Sequence, residues 1–140
     1  MGKTLIHGNR KKEKGLTLAE MVVSLAIIVI ISVAAISVAV YSTNQQKRIA
    51  MTRYFTVLVD NSLRLYESYS GSDFNTAFKA YTGQDIDYGT NKTFYFSLDY
   101  KYVDEPNSVY NVRYSFKTNG LVVSAMYADG DLIYEGSSLR

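Results

Sequence analysis

A single carboxylate, Glu20, lies at the start of an apolar run and is the residue best placed for chemistry in this chain. No charged residue follows it until Lys47. A charge inside a membrane-length apolar segment is costly, so Glu20 needs a cationic partner. A cut after Gly15 would supply one, because it would free an α-amine at Leu16. The chemistry indicated is therefore ion pairing between an amine and a carboxylate.

The composition offers little support for catalysis. The chain has no cysteine, which excludes disulfides and thiolate metal sites. Its only histidine, His7, lies in the basic N-terminal segment, where it is poorly placed for Ser-His or Cys-His catalysis. No carboxylate pair or glycine-rich phosphate loop is recognisable. We therefore predict a protein that is not an enzyme and uses no cofactor or metal.

Positive charge is concentrated at the N-terminus. Residues 1–15 carry five basic side chains and one acidic side chain, a net charge of +4. The remaining residues carry ten basic and twelve acidic side chains, so they are slightly acidic. The charge distribution consequently does not support nucleic-acid binding by the residues that follow position 15.

Residues 21–40 form an uncharged run whose only polar members are three serines. At about 1.5 Å per residue, a helix of this length spans roughly the 30 Å hydrocarbon core of a membrane. The positive-inside rule places the basic end in the cytoplasm and the C-terminal domain outside. No convincing secretory cleavage site follows the run, so we expect the helix to be retained.

Around Gly15 the sequence resembles the class III signal of type IV prepilins and pseudopilins. In that family a basic leader ends in Gly and is followed by a residue that is usually Phe, then Thr-Leu, a variable residue, Glu and an apolar helix. Gly15, Thr17, Leu18 and Glu20 match this pattern, and Leu16 stands where Phe is usual. The resemblance covers roughly a quarter of the chain.

The resemblance implies that a prepilin peptidase cuts after Gly15 and N-methylates Leu16. It also implies that Glu20 pairs with the N-terminal amine of a neighbouring pilin subunit when the pilus assembly platform builds the filament. The chain would then lie in the cytoplasmic membrane before assembly and at the cell surface, in the pilus, afterwards.

The predicted fold class is α+β, with a long N-terminal helix packed on a four-stranded antiparallel β-meander. A leader occupies residues 1–15, a transmembrane or filament-core helix residues 16–41, and its amphipathic continuation residues 42–69. A connecting loop of residues 70–91, exposed by analogy with pilins, leads to the sheet of residues 92–140.

Many family members have a Gly and a Pro within the membrane helix, and both are missing between Val29 and Ser37. We therefore predict a largely continuous helix, because sharp kinks usually need such residues. Ser32 and Ser37 can bend it only mildly, through hydrogen bonds to backbone carbonyls. These departures, with the absence of cysteine, favour a minor or Gram-positive-type pilin.

Helical periodicity beyond the apolar run predicts the face that packs on the sheet. The stripe comprises Met51, Tyr54, Phe55, Leu58, Leu65 and Tyr69. Ser62 occupies the position between Leu58 and Leu65 where the apolar pattern is interrupted. The helix is expected to end near Gly71, and a second, short helix is expected across residues 74–81.

Alternating apolar and polar residues predict four strands. They cover residues 93–102, 110–117, 121–128 and 132–135. The dipeptide Asn119-Gly120 predicts a two-residue hairpin turn between the second and third strands. Closely spaced hairpins of this kind indicate an antiparallel meander.

Three weaker motifs have simpler explanations than a ligand site. Asp129, Asp131 and Glu135, like Asp85 and Asp87, carry oxygen atoms that calcium prefers, but neither group has the full spacing of a calcium loop. An Asp-Gly hairpin turn at residue 129 is the more economical interpretation.

The segment Asn91-Lys92-Thr93 matches the glycosylation sequon, a motif that often occurs by chance. Tyr88 and Tyr95 offer rings for stacking on bases or sugars. Ordinary strand packing or subunit contact is the simpler role for both tyrosines.

These observations predict a structural subunit, of the minor pilin kind, in a type IV pilus or related filament. Its role would be adhesion, motility or DNA uptake. A pseudopilin of a type II-like secretion system is the alternative within the family. A single-pass membrane-anchored binding or sensor protein, with Glu20 at the membrane interface, is the alternative from another class.

Overall fold

A computed structural model describes residues 17–140 of the protein. The chain divides into two units, one ending at Asn44 and the other beginning at Gln45, and helix α1 (Leu18–Ser68) contributes to both. The second unit adds helix α2 (Gly71–Thr82) and the strands β1 (Lys92–Phe96), β2 (Tyr110–Lys117), β3 (Gly120–Tyr127) and β4 (Leu132–Leu139).

The four strands form one antiparallel sheet in the order β1-β2-β3-β4. Each strand pairs with its sequence neighbour, which confirms the predicted meander. A short 3-10 helix, Glu105–Asn107, lies in the connection between β1 and β2. The predicted α+β class, a long helix packed on a four-stranded antiparallel sheet, is confirmed.

In the first unit α1 is an uninterrupted helix on which no side chain is buried. The Ser32 hydroxyl donates to the Ile28 carbonyl at 2.7 Å, and the Ser37 hydroxyl donates to the Val33 carbonyl at 2.8 Å. Both serines therefore satisfy their own polar groups within the helix, as expected for an apolar segment.

In the second unit α1 buries one face against the sheet, and that face differs from the predicted stripe. Tyr54 and Tyr69 are 37 % and 45 % exposed, and Leu65 is only half-buried. The buried face continues through Tyr66, whose ring packs on Phe116 at a centroid distance of 6.1 Å. The buried residues are Met51, Phe55, Leu58, Val59, Ser62, Leu63 and Tyr66.

The end of α1 lies one residue before the predicted end at residue 69, but the role predicted for Gly71 was wrong. The helix ends at Ser68, and Gly71 begins α2 instead of stopping α1. The guanidinium of Arg140 reaches the last turn, where Nη2 donates to the carbonyls of Glu67 at 3.1 Å and Tyr69 at 2.8 Å. A cation at a helix C-terminus satisfies terminal carbonyls and complements the helix dipole, so a tertiary contact replaces the expected glycine cap.

The short helix predicted in the connecting segment is confirmed as α2, but the segment is not wholly exposed. Phe74 and Phe78 on α2 are completely buried. The Phe78 ring stacks on Phe94 at 5.8 Å and meets Tyr114 edge-on at 5.2 Å between centroids. This helix therefore covers the β1 side of the sheet as part of the core.

Strand β1 is shorter than the alternating pattern predicted. It ends at Phe96, and the chain then turns, with the Ser97 amide donating to the Lys101 carbonyl at 2.8 Å. Tyr100 in this turn has a positive φ of 59°. Tyr102 returns to form an isolated bridge with Phe96. The alternating pattern wrongly predicted one strand to residue 102. The chain turns back after Phe96, and the bridge then places Tyr102 on the same side of the sheet as Phe96.

Strand β4 is longer than predicted, since it continues to Leu139 and not only to residue 135. Gly136 lies within it at a point of close approach to α1. A Cβ atom there would lie 2.7 Å from Leu63 Cδ1 and 3.1 Å from Val59 Cγ1. The glycine therefore leaves room for the Leu63 and Val59 side chains of α1, and it does not end the strand.

The hairpin between β2 and β3 lies one residue earlier than predicted. Lys117 pairs with Gly120, so Thr118 and Asn119 form the turn and Gly120 is the first residue of β3. A Cβ atom on Gly120 would collide with the Ser138 carbonyl of β4. Close packing against β4, and not turn conformation, explains this glycine.

One polar pair links α1 to the sheet inside the core. The buried Ser62 hydroxyl donates to the Leu58 carbonyl at 2.7 Å and lies 3.0 Å from the Tyr114 hydroxyl. Burial raises the pKa of Tyr114, and the hydrogen bond with Ser62 opposes that rise. The Tyr114 hydroxyl therefore depends on Ser62 for its hydrogen bond in the core, whereas the Ser62 hydroxyl also has the Leu58 carbonyl as a partner.

Candidate functional site

The described chain begins with Thr17 and Glu20 joined in a capping box at the start of α1. The Thr17 amide and hydroxyl donate to Glu20 Oε2 at 2.8 and 3.0 Å. In return the Glu20 amide donates to Thr17 Oγ1 at 3.3 Å. The Met21 amide donates to the Thr17 carbonyl at 3.0 Å, so Thr17 is the N-cap residue.

Glu20 is exposed, and only one of its two carboxylate oxygens takes part in the capping box. Both capping bonds use Oε2, and Oε1 accepts no hydrogen bond from any residue in the described range 17–140. The positive end of the helix dipole favours an anion in the first turn. Glu20 therefore stabilises the start of its own helix through Oε2.

Thr17 is the functional residue that sequence reasoning missed. It was noted only as a position in the family pattern, although Thr17-Leu18-Ala19-Glu20 followed by an apolar run is also a capping-box sequence. The capping box therefore accounts for Glu20 as a structural residue. The predicted ion pair, which would use the other carboxylate oxygen, stays a prediction.

The other two sequence-predicted site residues, Gly15 and Leu16, lie outside the described residues. The predicted cut between them and the N-methylation of Leu16 stay predictions.

The surface around Glu20 is apolar on every side. All large apolar side chains from Leu18 to Tyr41 are more than half exposed, from 51 % for Ile27 to 82 % for Leu18. By length and composition α1 is able to cross a membrane. A surface of this kind has to be covered by lipid or by other protein.

The candidate calcium ligands do not converge. Glu135 Oε2 accepts a hydrogen bond from the Ser124 hydroxyl at 2.6 Å, and Asp129 Oδ1 accepts one from the Asp131 amide at 3.3 Å. Among the residues that the structure describes, no group of three or more His, Cys, Asp or Glu side chains is arranged to hold a metal ion.

The remaining candidates have structural contacts. Asn91 Oδ1 in the sequon accepts a hydrogen bond from the Phe116 amide at 2.7 Å. The Tyr88 ring stacks on Tyr66 at a centroid distance of 5.7 Å, so it is engaged with the core. Tyr95 is half-buried on β1.

Comparison with family models gives one match, the prokaryotic N-terminal methylation motif, over residues 10–36. Comparisons with curated proteins and with solved structures gave no significant match. Proteins with this motif are structural subunits, and the motif in general implies other pilin subunits and processing by a prepilin peptidase. The matched motif and the long apolar N-terminal helix together fit a type IV pilin or prepilin-like protein, either pilin-like or of the pseudopilin type.

Proposed function

We propose that this chain is a minor pilin, a structural subunit that assembles into a type IV pilus or related filament through its apolar helix. The observation that carries the proposal is the arrangement at the start of α1. A lone carboxylate keeps one oxygen that accepts no hydrogen bond from residues 17–140, at the end of a helix whose apolar surface is exposed all round. Neither feature serves the fold of residues 45–140, which have their own core.

Processing would create the partner of Glu20. A prepilin peptidase cuts after Gly15 and methylates the new amine of Leu16, which stays cationic. The amine of one subunit then pairs with Glu20 of its neighbour. Hydrophobic contact alone does not set the axial position of an apolar helix, whereas a slip by one turn would leave both charges unpaired in an apolar environment.

Orientation follows from the basic leader. Five cations in residues 1–15 hold that end in the cytoplasm, so residues 45–140 lie outside the cytoplasmic membrane before assembly. Extraction by the assembly platform then carries the subunit into a surface filament that serves adhesion, motility or DNA uptake. Incorporation by a secretion system in place of a pilus system would identify the chain as a pseudopilin.

The processing step is tested by co-expression of the full chain with a prepilin peptidase, followed by mass measurement and N-terminal sequencing. We expect a product that begins at Leu16 and carries one methyl group. The Gly15→Ala variant, which alters the residue before the cut, should remain unprocessed. An intact wild-type chain under these conditions would favour the single-pass anchored protein of the other class.

The charge-pairing role is separated from the capping role by three variants. Glu20→Gln removes the charge but keeps a side chain that completes a capping box, whereas Thr17→Ala removes the capping hydroxyl and keeps the charge. Glu20→Ala removes both. We expect both Glu20 variants to insert into the membrane and fail to enter filaments, and Thr17→Ala to assemble.

Filament incorporation is measured in sheared surface fractions and compared with the membrane content of the same cells. If Glu20→Gln assembles as well as the wild-type chain while Thr17→Ala and Glu20→Ala do not, Glu20 acts through the helix cap and the pairing role is wrong.

A further inference from the structure

Two hollows adjoin on the exposed face of α1 in the second unit. They share a ridge of Ile49, Arg53 and Val57, which are four residues apart and so lie on one side of the helix. Ile49 is 65 % exposed and Val57 is 49 % exposed, so neither belongs to the core of this unit. Exposed apolar side chains grouped on a folded unit indicate a contact surface.

The larger hollow, of about 720 Å³, is apolar and aromatic. Opposite α1 it is walled by Tyr81 of α2 and by Tyr100 and Tyr102 of the β1–β2 connection. Tyr54 of α1 also borders it, with its ring stacked on that of Tyr100 at a centroid distance of 4.6 Å. Arg53 is the one charged residue along its border in the described chain. A hollow of about 300–1,000 Å³ with apolar walls and few polar groups is typical of a ligand site.

The smaller hollow, of about 490 Å³, is bordered by groups that suit an anion. Arg48 and Arg53 both line it, together with the hydroxyl side chains of Thr52 and Thr56. Both arginines are exposed, and both threonines are half-buried. Guanidinium groups beside hydroxyl donors are well suited to a phosphate. Because Arg53 borders both hollows, an anion bound there lies next to the apolar space on the other side of the ridge.

The two arginines differ in how much of their charge is offset within the chain. Arg48 also lines a cleft that contains Asp99, so this carboxylate offsets part of its charge. Arg53 does not line that cleft. Among residues 17–140 the ion pair present joins Lys79 to Asp85, and it involves neither arginine. Binding of an anion at this surface therefore depends chiefly on Arg53.

A ligand that fills both hollows needs an anionic head and an apolar tail, which is the form of an anionic phospholipid. Tyrosine is enriched where proteins meet the membrane–water interface, and exposed arginines attract anionic lipid headgroups. The hollows also follow closely in sequence on the apolar run, since Arg48 comes eight residues after Val40 and α1 is unbroken between them. A membrane is therefore the source of amphiphile that this chain meets first.

We propose that the two hollows bind one anionic phospholipid of the membrane in which the chain is anchored. Its phosphate lies against Arg53 and Arg48, and one acyl chain crosses the ridge into the tyrosine-walled hollow. The bound lipid holds the second unit at the membrane until the subunit is extracted. The proposal rests on the membrane location given under the proposed function, but it requires neither cleavage nor assembly. It applies to each copy separately, so it holds for a minor subunit.

A photoreactive lipid tests the site in the full chain. The chain is reconstituted in phosphatidylcholine nanodiscs that contain a small fraction of phosphatidylglycerol with a diazirine on one acyl chain. After irradiation, the labelled peptides are identified by mass spectrometry. We expect labelling of the peptides that contain Tyr81 and Tyr100, in addition to the apolar run that any lipid contacts. A phosphatidylcholine carrying the same diazirine should label the tyrosine peptides at least about fivefold less.

Charge variants test the role assigned to Arg53. Arg53→Gln should lower labelling of the tyrosine peptides about fivefold, because a cation near the membrane surface contributes about that factor to the binding of anionic lipid. The matched control is Arg64→Gln, since Arg64 is exposed on α1 and borders neither hollow. It should leave labelling within about twofold of the wild-type chain. Labelling of the apolar run should stay the same in both variants and serves as the internal standard.

A filling variant tests the larger hollow without changing charge. Gln46 is exposed and borders the larger hollow but not the smaller. Gln46→Trp should occupy the space and lower labelling of the tyrosine peptides about threefold or more, because the acyl chain is displaced. Ser68→Trp, at an exposed position at the end of α1, is the matched control and should have no effect. Neither position is buried, so unchanged thermal unfolding is expected and is measured alongside.

The other outcomes overturn the lipid site and leave the proposed function to its own tests. Equal labelling by the two headgroups, or labelling that survives Arg53→Gln, would mean that the hollows meet bulk lipid without selecting an anion. If only the apolar run is labelled and Gln46→Cys becomes protected from maleimide on entry into filaments, the hollows receive a neighbouring pilin subunit instead. Conversely, a chain that shows the expected labelling but is never processed would retain the lipid site and lose the pilin function.

Discussion

The two parts of α1 have the same backbone structure but opposite relations to their surroundings. Between residues 18 and 44 no side chain is buried, and the apolar surface faces outward on all sides. Between residues 45 and 68 one face is buried, with Phe55 and Val59 completely removed from solvent. The first part therefore has to be covered by lipid or by other protein, while the second is stabilised by its own chain.

This difference shows how one helix can serve two purposes. The backbone groups inside α1 are hydrogen-bonded within the helix, so the helix backbone suits both an apolar environment in the first part and a protein core in the second. What distinguishes the parts is side-chain pattern, since the first is apolar all round and the second is apolar on one face. Substitutions in the two parts should consequently have different readouts.

The largest contrast is expected between two apolar truncations. Phe55→Ala removes a completely buried ring, whereas Ile30→Ala removes a side chain that is 68 % exposed. We expect Phe55→Ala to lower the free energy of unfolding by about 3–5 kcal/mol and Ile30→Ala to leave it unchanged. The measurement is denaturant unfolding of the full chain in detergent, followed by near-UV circular dichroism. Equal losses for the two variants would contradict the division into two units.

A smaller effect is expected where β4 meets α1. A methyl group at Gly136 would press on Leu63 Cδ1, only 2.7 Å away, so Gly136→Ala should cost about 1–3 kcal/mol of unfolding free energy. Ser137→Ala changes the adjacent, exposed residue and should stay within about 0.5 kcal/mol of the wild-type chain. A neutral Gly136→Ala variant would mean that the helix rests less closely on β4 than the distance indicates.

Two serines, one in each part of α1, make the same hydrogen bond within the helix but differ in their surroundings. Ser32 and Ser62 each donate to the carbonyl four residues earlier at 2.7 Å, but only Ser62 also meets a buried tyrosine hydroxyl. Ser62→Ala should cost about 1–3 kcal/mol, because it leaves the Tyr114 hydroxyl unpaired. Ser32→Ala should not change the unfolding of residues 45–140.

Ser62→Ala leaves the Tyr114 hydroxyl without a partner, whereas Tyr114→Phe removes that hydroxyl. Tyr114→Phe should therefore lower the free energy of unfolding by only about 0.5–1.5 kcal/mol. The double variant should be little worse than Ser62→Ala alone, since the two hydroxyls act as one pair. Full additivity of the two losses would show that the hydroxyls do not interact.

The smallest expected effect is the response to alkali. Burial raises the pKa of Tyr102 from its ordinary 10.0 to about 12. Between these values the unfolded chain ionises and the folded chain does not, so stability is full below pH about 10 and falls as pH rises towards about 12. Thermal unfolding across this range should show a shallower fall for Tyr102→Phe than for the wild-type chain. An equal slope would mean that Tyr102 titrates normally in the folded state.

Much of this architecture was predictable because it depends on local sequence. A long uncharged run specifies a helix in an apolar environment, and turn residues between alternating strands specify an antiparallel meander. The candidate site was predictable to the same extent, since Glu20 is conspicuous as the lone acid of the run. The capping role of Thr17 was accessible too, because a capping box is a local pattern.

What only the tertiary structure decided was the fit between elements that are distant in sequence. The helix face turned out to include Tyr66 and not Tyr69, because the rings of Phe116 and Tyr88 lie where Tyr66 points. Gly136 proved to be a point of contact with α1, and Arg140 caps the helix in place of a glycine. Periodicity in one segment carries no information about the partner that the segment meets. The sequence by itself therefore determined the elements and the isolated charge at Glu20, while long-range packing determined faces, ends and close contacts.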